Sequence, residues 1–344
     1  MAYTVGGAFD AFRRDFVDLK PADTSTARSS RNYLYSQLKE LADRDATFPR
    51  LSNEFRPLGS FARRTKIRPL NDIDFLVVLD NRGTRETRAS FWDSYTYRLE
   101  ITDYTSPFGA FRGDDGLVSS IKILNKIRSS LSSAPNYGKA EIKRNMQAVT
   151  LKLLSYTWVS DIVPAVPIKS AFSTTVDHYL IPDGKGNWIR TDPRIDDSNA
   201  TRLNGQHSSL FLPTVRILKY WNGRHTKPVL GSYYFETLAL KVFDLNAFPV
   251  SFFGGHKITR FPPTVKYFFD RCPQHMEGSC PDPKGLGPAL DAGLDSETRR
   301  KVSAVMSDAS KIAGLALAYE SQSQPSEAMT TWGRVFGASF PMYG

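Results

Sequence analysis

Near the start of the chain the apolar positions Phe9, Phe12, Phe16 and Leu19 recur every three or four residues until Pro21, and Leu34, Leu38 and Leu41 take up the same period downstream. Spacing close to 3.6 lines such residues along one helix face, so the pattern predicts two N-terminal helices or one long broken one, with Thr24 and Ser25 as capping candidates. From residue 73 the period changes. Ile73, Phe75, Val77 and Leu79 alternate with Asp72, Asp74, Leu76 and Val78, which is the two-residue repeat of a strand. Asp72 and Asp74 therefore share one face.

Residues 80–116, rich in Arg, Gly, Asp and Thr, read as loop around one strand or short helix. Asp114 and Asp115 stand where they would cap a helix carrying Ile121, Leu124 and Leu131, ended by the Ser-Ser-Ala-Pro of 132–135. Residues 146–154 and 156–163 read as two strands, stopped by Pro164 and Pro167. The turn-rich stretch 181–206 reads as a connector between lobes. Beyond it the period is helical again: Val215, Leu218 and Trp221; Phe235, Leu238, Leu240 and Phe243; Val302, Val305, Ile312, Leu315 and Tyr319. Strands and helices mix without a regular strand–helix–strand rhythm, which predicts an α+β fold. Its expected division is a catalytic core with N-terminal helices over 1–200 and a mostly helical lobe over 201–344.

Composition narrows the classes. With 344 residues, 41% apolar and 23% charged, the chain is neither disordered nor fibrous. Apolar runs such as 75–79 fall far short of the roughly 18 residues of a membrane span. The N-terminus mixes acids and bases without an apolar stretch, so no secretory signal and a cytoplasmic protein are expected. Two cysteines, Cys272 and Cys280, are too few for a disulfide framework. With His256 and His275 they make no recognisable zinc spacing, and read as ordinary loop residues. A net charge of +10 suits anionic ligands of several kinds and selects none.

The chemistry concentrates between residues 59 and 79. Two carboxylates at i and i+2 on a strand repel each other unless a divalent cation lies between them, and Mg²⁺, hard and content to share its shell with phosphates, is the natural candidate. Upstream, Gly59-Ser60 forms a tight turn whose N–H groups and hydroxyl suit a phosphate. The basic cluster Arg63, Arg64, Lys66 and Arg68 lies between turn and carboxylates, where it is either a solvated face or an attractor of polyphosphate.

Gly59-Ser60, eleven residues, then Asp72-Ile73-Asp74 resembles the signature of the polymerase-β-type nucleotidyltransferases, and the wording Gly-Ser-Phe-Ala-Arg-Arg-Thr-Lys-Ile resembles the bacterial relatives of cyclic GMP–AMP synthase, the CD-NTases of CBASS antiphage operons. The similarity continues through Ser160-Asp161, the segment from Tyr179, the helix from Leu212 to Trp221, Gly231 to Glu236, and the final stretch from Trp332. It covers the chain from about residue 55 to the end.

This resemblance implies a polymerase-β-type core sheet with a C-terminal helical lobe, in which Asp72, Asp74 and Asp161 are the catalytic carboxylates and hold two Mg²⁺ ions, with Mn²⁺ able to substitute. It implies phosphate contacts from Gly59, Ser60, Lys219 and Ser232, and the ring of Tyr233 stacked on the donor base. The expected activity is joining nucleoside triphosphates into a cyclic di- or trinucleotide second messenger for antiviral defence, read by an effector encoded separately. Alternatives are a linear oligonucleotide synthase or tailing enzyme, and an idle nucleotide- or RNA-binding module; three mutually repelling aspartates speak against the last. No aromatic-interleaved basic stripe points to nucleic-acid activation. Base choice, 2′ or 3′ linkage, ring size and oligomeric state lie outside these motifs.

Overall fold

The structure, a computed structural model, describes residues 2–170, 175–225, 229–246 and 255–344. α1 (Val5–Phe12) is capped by the Thr4 hydroxyl, which accepts from the Gly7 N–H at 3.1 Å. α2 (Pro21–Arg44) begins at its proline, whose missing N–H would have had no partner in a first helical turn. Thr24 and Ser25 consequently lie inside α2 and do not cap it.

The strands are β1 (Leu51–Leu58), β2 (Asp72–Leu79), β3 (Thr84–Arg88), β4 (Tyr97–Ile101), β5 (Glu141–Asn145), β6 (Ala148–Lys152), β7 (Val159–Lys169), β8 (Val176–Pro182) and β9 (Trp188–Thr191). They form one mixed sheet in the order β1-β2-β7-β8-β9-β4-β3, with the β5–β6 hairpin joined to β7. The pair β2·β7 is parallel and its neighbours are antiparallel.

Several expectations need correction. The prolines do not end the strand at 163; β7 runs through both. Along one edge of β7 the β6 ladder stops at Ile162 and the β8 ladder starts at Val166, so Pro164 falls where that edge carries no ladder. Pro167 lies past the last β2 partner, Ala165, and its carbonyl accepts from Asn81 Nδ2 at 2.6 Å. Residues 80–116 contain two strands, the β3–β4 hairpin, where one element was expected. The single turn α3 (Gly59–Ala62) follows β1, and α4 (Ser120–Ser132) is capped by Ser119, while Asp115 bonds the Leu117 N–H. The expected connector at 181–206 is structured: β9 is followed by α5 (Pro193–Gln206), with Asp192 as N-cap and proline in the first turn.

Helices α6 (Phe211–His225), α7 (Ser232–Phe243), α8 (Phe261–Glu277), α9 (Ser296–Ser321) and α10 (Pro325–Phe336) complete the chain; the helical periods predict α6, α7 and α9, and α8 and α10 come in addition. Leu315 is the exception on its stripe, being exposed. Cys272 and His275 stand on α8 and not in a loop; both cysteines are buried and free. Among the described residues no helix is long and apolar enough to cross a membrane.

One apolar cluster places Leu34, Leu38, Ile123, Leu124 and Ile127 of α2 and α4 on the sheet face of Phe75, Val77, Leu79 and Ile162. The opposite face carries Leu76, Val78, Val163, Ala165 and Tyr179, and it is the face of Asp72 and Asp74. The largest cluster joins α6–α10 to residues 2–17. Phe9 meets Trp332 and Phe340 with ring centroids 5.0 Å apart in each case. The first helix in sequence is thus built into the helical core and not onto the sheet.

Candidate active site

Strand register assembles the site. Leu58 pairs with Asp74, Asp74 with Asp161, and Asp161 with Thr150, so one row crosses four strands. Directly opposed residues share a face. Asp161, which no local pattern could pair with Asp74, therefore stands beside it, and the Thr150 hydroxyl donates to Asp161 Oδ1 at 2.7 Å. Asp72, one turn of the pleat away, is ion-paired with Lys66 Nζ.

Electrostatics mark the row. Burial, then the neighbouring charges of Asp72 and Asp161, push the Asp74 carboxyl up to about 7, against the pull of Lys66 and Arg63. Burial also raises Asp161, opposed by the Thr150 hydrogen bond and reinforced by Asp72. Among the described residues no three His, Cys, Asp or Glu side chains already enclose a cation-sized space. The donor set nevertheless fits a hard divalent cation: carboxylate oxygens on one face, held at a cost that positive charge would relieve.

The turn after β1 abuts these carboxylates. Gly59 has φ +75°, and a Cβ there would come 1.9 Å from Asp74 Oδ2, so only glycine fits the approach. The next residues fold back through Thr65 N–H and Lys66 N–H, which donate to the Ser60 carbonyl at 2.9 and 3.0 Å. Arg64 is left-handed at φ 61°. Its carbonyl accepts from Arg216 of α6 at 2.7 Å.

The basic cluster is not a free field. Lys66 pairs with Asp72, Arg68 donates to the carbonyls of Arg14, Asp15 and Asp18, and Arg63 is buried against Glu236 of α7. Lys219 of α6 is also buried, its Nζ donating to the Thr65 carbonyl at 2.9 Å and to Glu236 Oε1 at 2.6 Å. Burial draws its pKa down and the Glu236 charge opposes that. Ser232 is exposed at the start of α7, with its hydroxyl 3.3 Å from Glu236 Oε1.

Tyr233 is half-buried. Its hydroxyl bonds Asp196 at 2.7 Å and Asp282 at 3.2 Å, and accepts from Lys284 at 2.5 Å. Burial, followed by Asp196, drives its pKa far above the ordinary phenol. Arg63 and Lys284 lie 5.3 and 4.2 Å from its ring centroid. Thr150, Thr65, Glu236, Asp196, Asp282 and Lys284 escaped the sequence reading. A usable signal existed for one pair: Lys219 and Glu236 are opposite charges set within apolar stretches of successive helices.

A carboxylate row on a mixed sheet, a glycine turn pressed against it and a helical lobe closing over the turn together define a nucleotidyltransferase. The chain is 39% identical over 345 residues, 100% of its length and 99% of the relative's, to the probable cyclic nucleotide synthase of Bacillus cereus (strain VD146), and it belongs to that family, the CD-NTase cyclic nucleotide synthases. Solved structures share the fold at low identity. The CdnC of E. coli MS115-1, solved with ATP, is 16% identical with a TM-score of 0.66, covering 98% of each chain. The DncV cyclic AMP–GMP synthase of Vibrio cholerae is 11% identical with a TM-score of 0.66, covering 99% of this chain and 98% of its own. No protein-family model matches.

Proposed function

We propose that the protein joins nucleoside triphosphates, ATP and GTP among them, into a cyclic di- or trinucleotide with release of pyrophosphate. The observation that carries this is the alignment of Asp72, Asp74 and Asp161 on one sheet face against the Gly59-Ser60 turn. The CdnC and DncV structures with ATP, and with ATP and GTP, support the substrate class.

In this reading Asp72, Asp74 and Asp161 hold two Mg²⁺ ions, which when bound polarise the attacking ribose hydroxyl and neutralise the departing pyrophosphate. The rest is positioning by the chain itself. The Gly59-Ser60 turn, with Lys219 and Ser232 behind it, holds the triphosphate so that the α-phosphate faces the carboxylate row. Asp161, on its separate strand, faces the attacking hydroxyl. Tyr233 offers a ring to the donor base, an interaction worth about 1–3 kcal/mol that tolerates any base and so leaves base choice to other side chains. The division into a catalytic core and a helical lobe would then be a division of labour: carboxylates from the sheet, phosphate and base contacts from the helices. A product of this kind would act in antiviral defence through an effector encoded separately.

The test is an incubation of purified protein with labelled triphosphates and Mg²⁺ or Mn²⁺, followed by phosphatase and mass spectrometry. A phosphatase-resistant cyclic mass, lost in Asp72→Ala, is the expected result. Phosphatase-sensitive ladders would replace the reading with a linear synthase.

A further inference from the structure

Glu236 is a buried carboxylate on α7, and the chain satisfies it completely. Oε1 accepts from Lys219 Nζ at 2.6 Å and from the Ser232 hydroxyl at 3.3 Å, both on the helices. Oε2 accepts from the Thr65 hydroxyl at 2.9 Å and Arg63 Nε at 3.1 Å, both on the turn that follows β1. One oxygen faces the helical lobe and the other faces the turn. The partners on the turn lie 171 and 173 residues away in sequence.

We propose that Glu236 is a positioning residue, which fixes the 59–66 turn relative to α6 and α7 so that Ser60 and Lys219 meet the triphosphate already aligned. This rests on the reading that the turn holds the triphosphate. Two features argue that the contact serves geometry and not stability alone. Apolar residues of like volume commonly match or exceed a buried ion pair in stability, so the charge at 236 has no need to be there for packing. The turn, moreover, is a strained element that needs outside ties: Arg64 is left-handed without being glycine, and the helical lobe holds both its carbonyl, through Arg216, and its neighbours, through Glu236. From Thr65 the connection continues through the Ser60 carbonyl to Lys66, and from Lys66 to Asp72. A displacement of the turn by a fraction of an ångström would thus reach both phosphate and carboxylate sites.

Steady-state kinetics at saturating divalent metal, with melting temperatures recorded alongside, test this on Glu236→Gln, Thr65→Val, Thr65→Ser and Ser60→Ala in the full chain. Loss of alignment costs on the order of tenfold to a hundredfold in rate. Glu236→Gln and Thr65→Val should each raise KM for the nucleotide roughly tenfold or more with a fall in kcat, and Thr65→Ser, which keeps the hydroxyl, should restore both. Thr65→Val keeps the side chain's shape and carries the test if Glu236→Gln does not fold. Unchanged KM and kcat in Thr65→Val, with only the melting temperature lowered, would overturn the proposal. Ser60→Ala separates the two readings. If it raises KM while Thr65→Val does not, the positioning role alone fails; if it changes nothing, the triphosphate reading of the turn fails and the proposal with it.

Discussion

Asp74 and Asp161 stand directly opposite each other on the parallel strands β2 and β7, and Asp72 lies two residues along the same face. Three carboxylates are thereby brought together by sheet register, and the fold bears their repulsion with only partial relief from Lys66 and Arg63.

That repulsion predicts a pH dependence for the metal-free protein. Asp74 is raised to about 7 in the folded chain and returns to its ordinary value near 3.8 on unfolding. Between those values the folded state binds the extra proton, so the stability it contributes is full below about 3.8 and is lost as pH rises through about 7. Asp74→Asn removes the cost. Its melting temperature should exceed the parent's at about pH 8 and approach it near pH 4, reflecting a stability difference of up to a few kcal/mol shared with Asp72 and Asp161. Calorimetry in chelator across that range checks it; equal melting temperatures at about pH 8 would show that Asp74 carries no such strain.

Gly59→Ala places a methyl group against Asp74 Oδ2 at a backbone angle that favours glycine. Something must shift, and the nearest things are the turn and the carboxylate. Turnover should fall on the order of a hundredfold, while far-ultraviolet circular dichroism stays that of the parent. Near-normal turnover would mean that the approach of turn to carboxylate does not matter to the chemistry.

Tyr233 allows ring and hydroxyl to be separated. Tyr233→Ala removes the stacking surface, about 1–3 kcal/mol, and should raise KM roughly five- to 150-fold. Tyr233→Phe keeps the ring and leaves Asp196 and Asp282 without the hydroxyl. Its KM should change much less than its melting temperature. The reverse order would assign the role to the hydroxyl and not to the ring.

Phe9 tests the placement of the N-terminus. It is fully buried among Trp332, Phe336 and Phe340, so Phe9→Ala should cost about 3–5 kcal/mol in denaturant unfolding. A loss below about 1 kcal/mol would place the helix outside the helical core.

Much of this molecule was legible residue by residue. The alternation at 72–79 places Asp72 and Asp74 on one face of a strand because side-chain direction there is a local property of period two. The helical periods after residue 210 identify α6, α7 and α9 for the same reason, while α8 and α10 were not read from any period. Misreadings arose where a neighbour strand or lobe overrules local chemistry. Pro164 and Pro167 look like strand ends, yet β7 runs through them because each falls where one edge has no ladder. The Asp192-Pro193 start of α5 was a readable helix signal submerged in a turn-rich stretch.

By itself, the sequence determined which residues carry charge, which face of β2 holds the aspartates, and that a glycine turn precedes them. Tertiary structure alone decided that Asp161 lies beside Asp74, that Thr150 donates to it, that α1 packs into the helical lobe, and that Glu236 and Lys219 grip the turn. The reason is physical: periodicity reports only how neighbours along the chain share a face, whereas contacts across strands and between lobes, such as Asp74 with Asp161 or Thr65 with Glu236 171 positions on, depend on register and packing, which no local window contains.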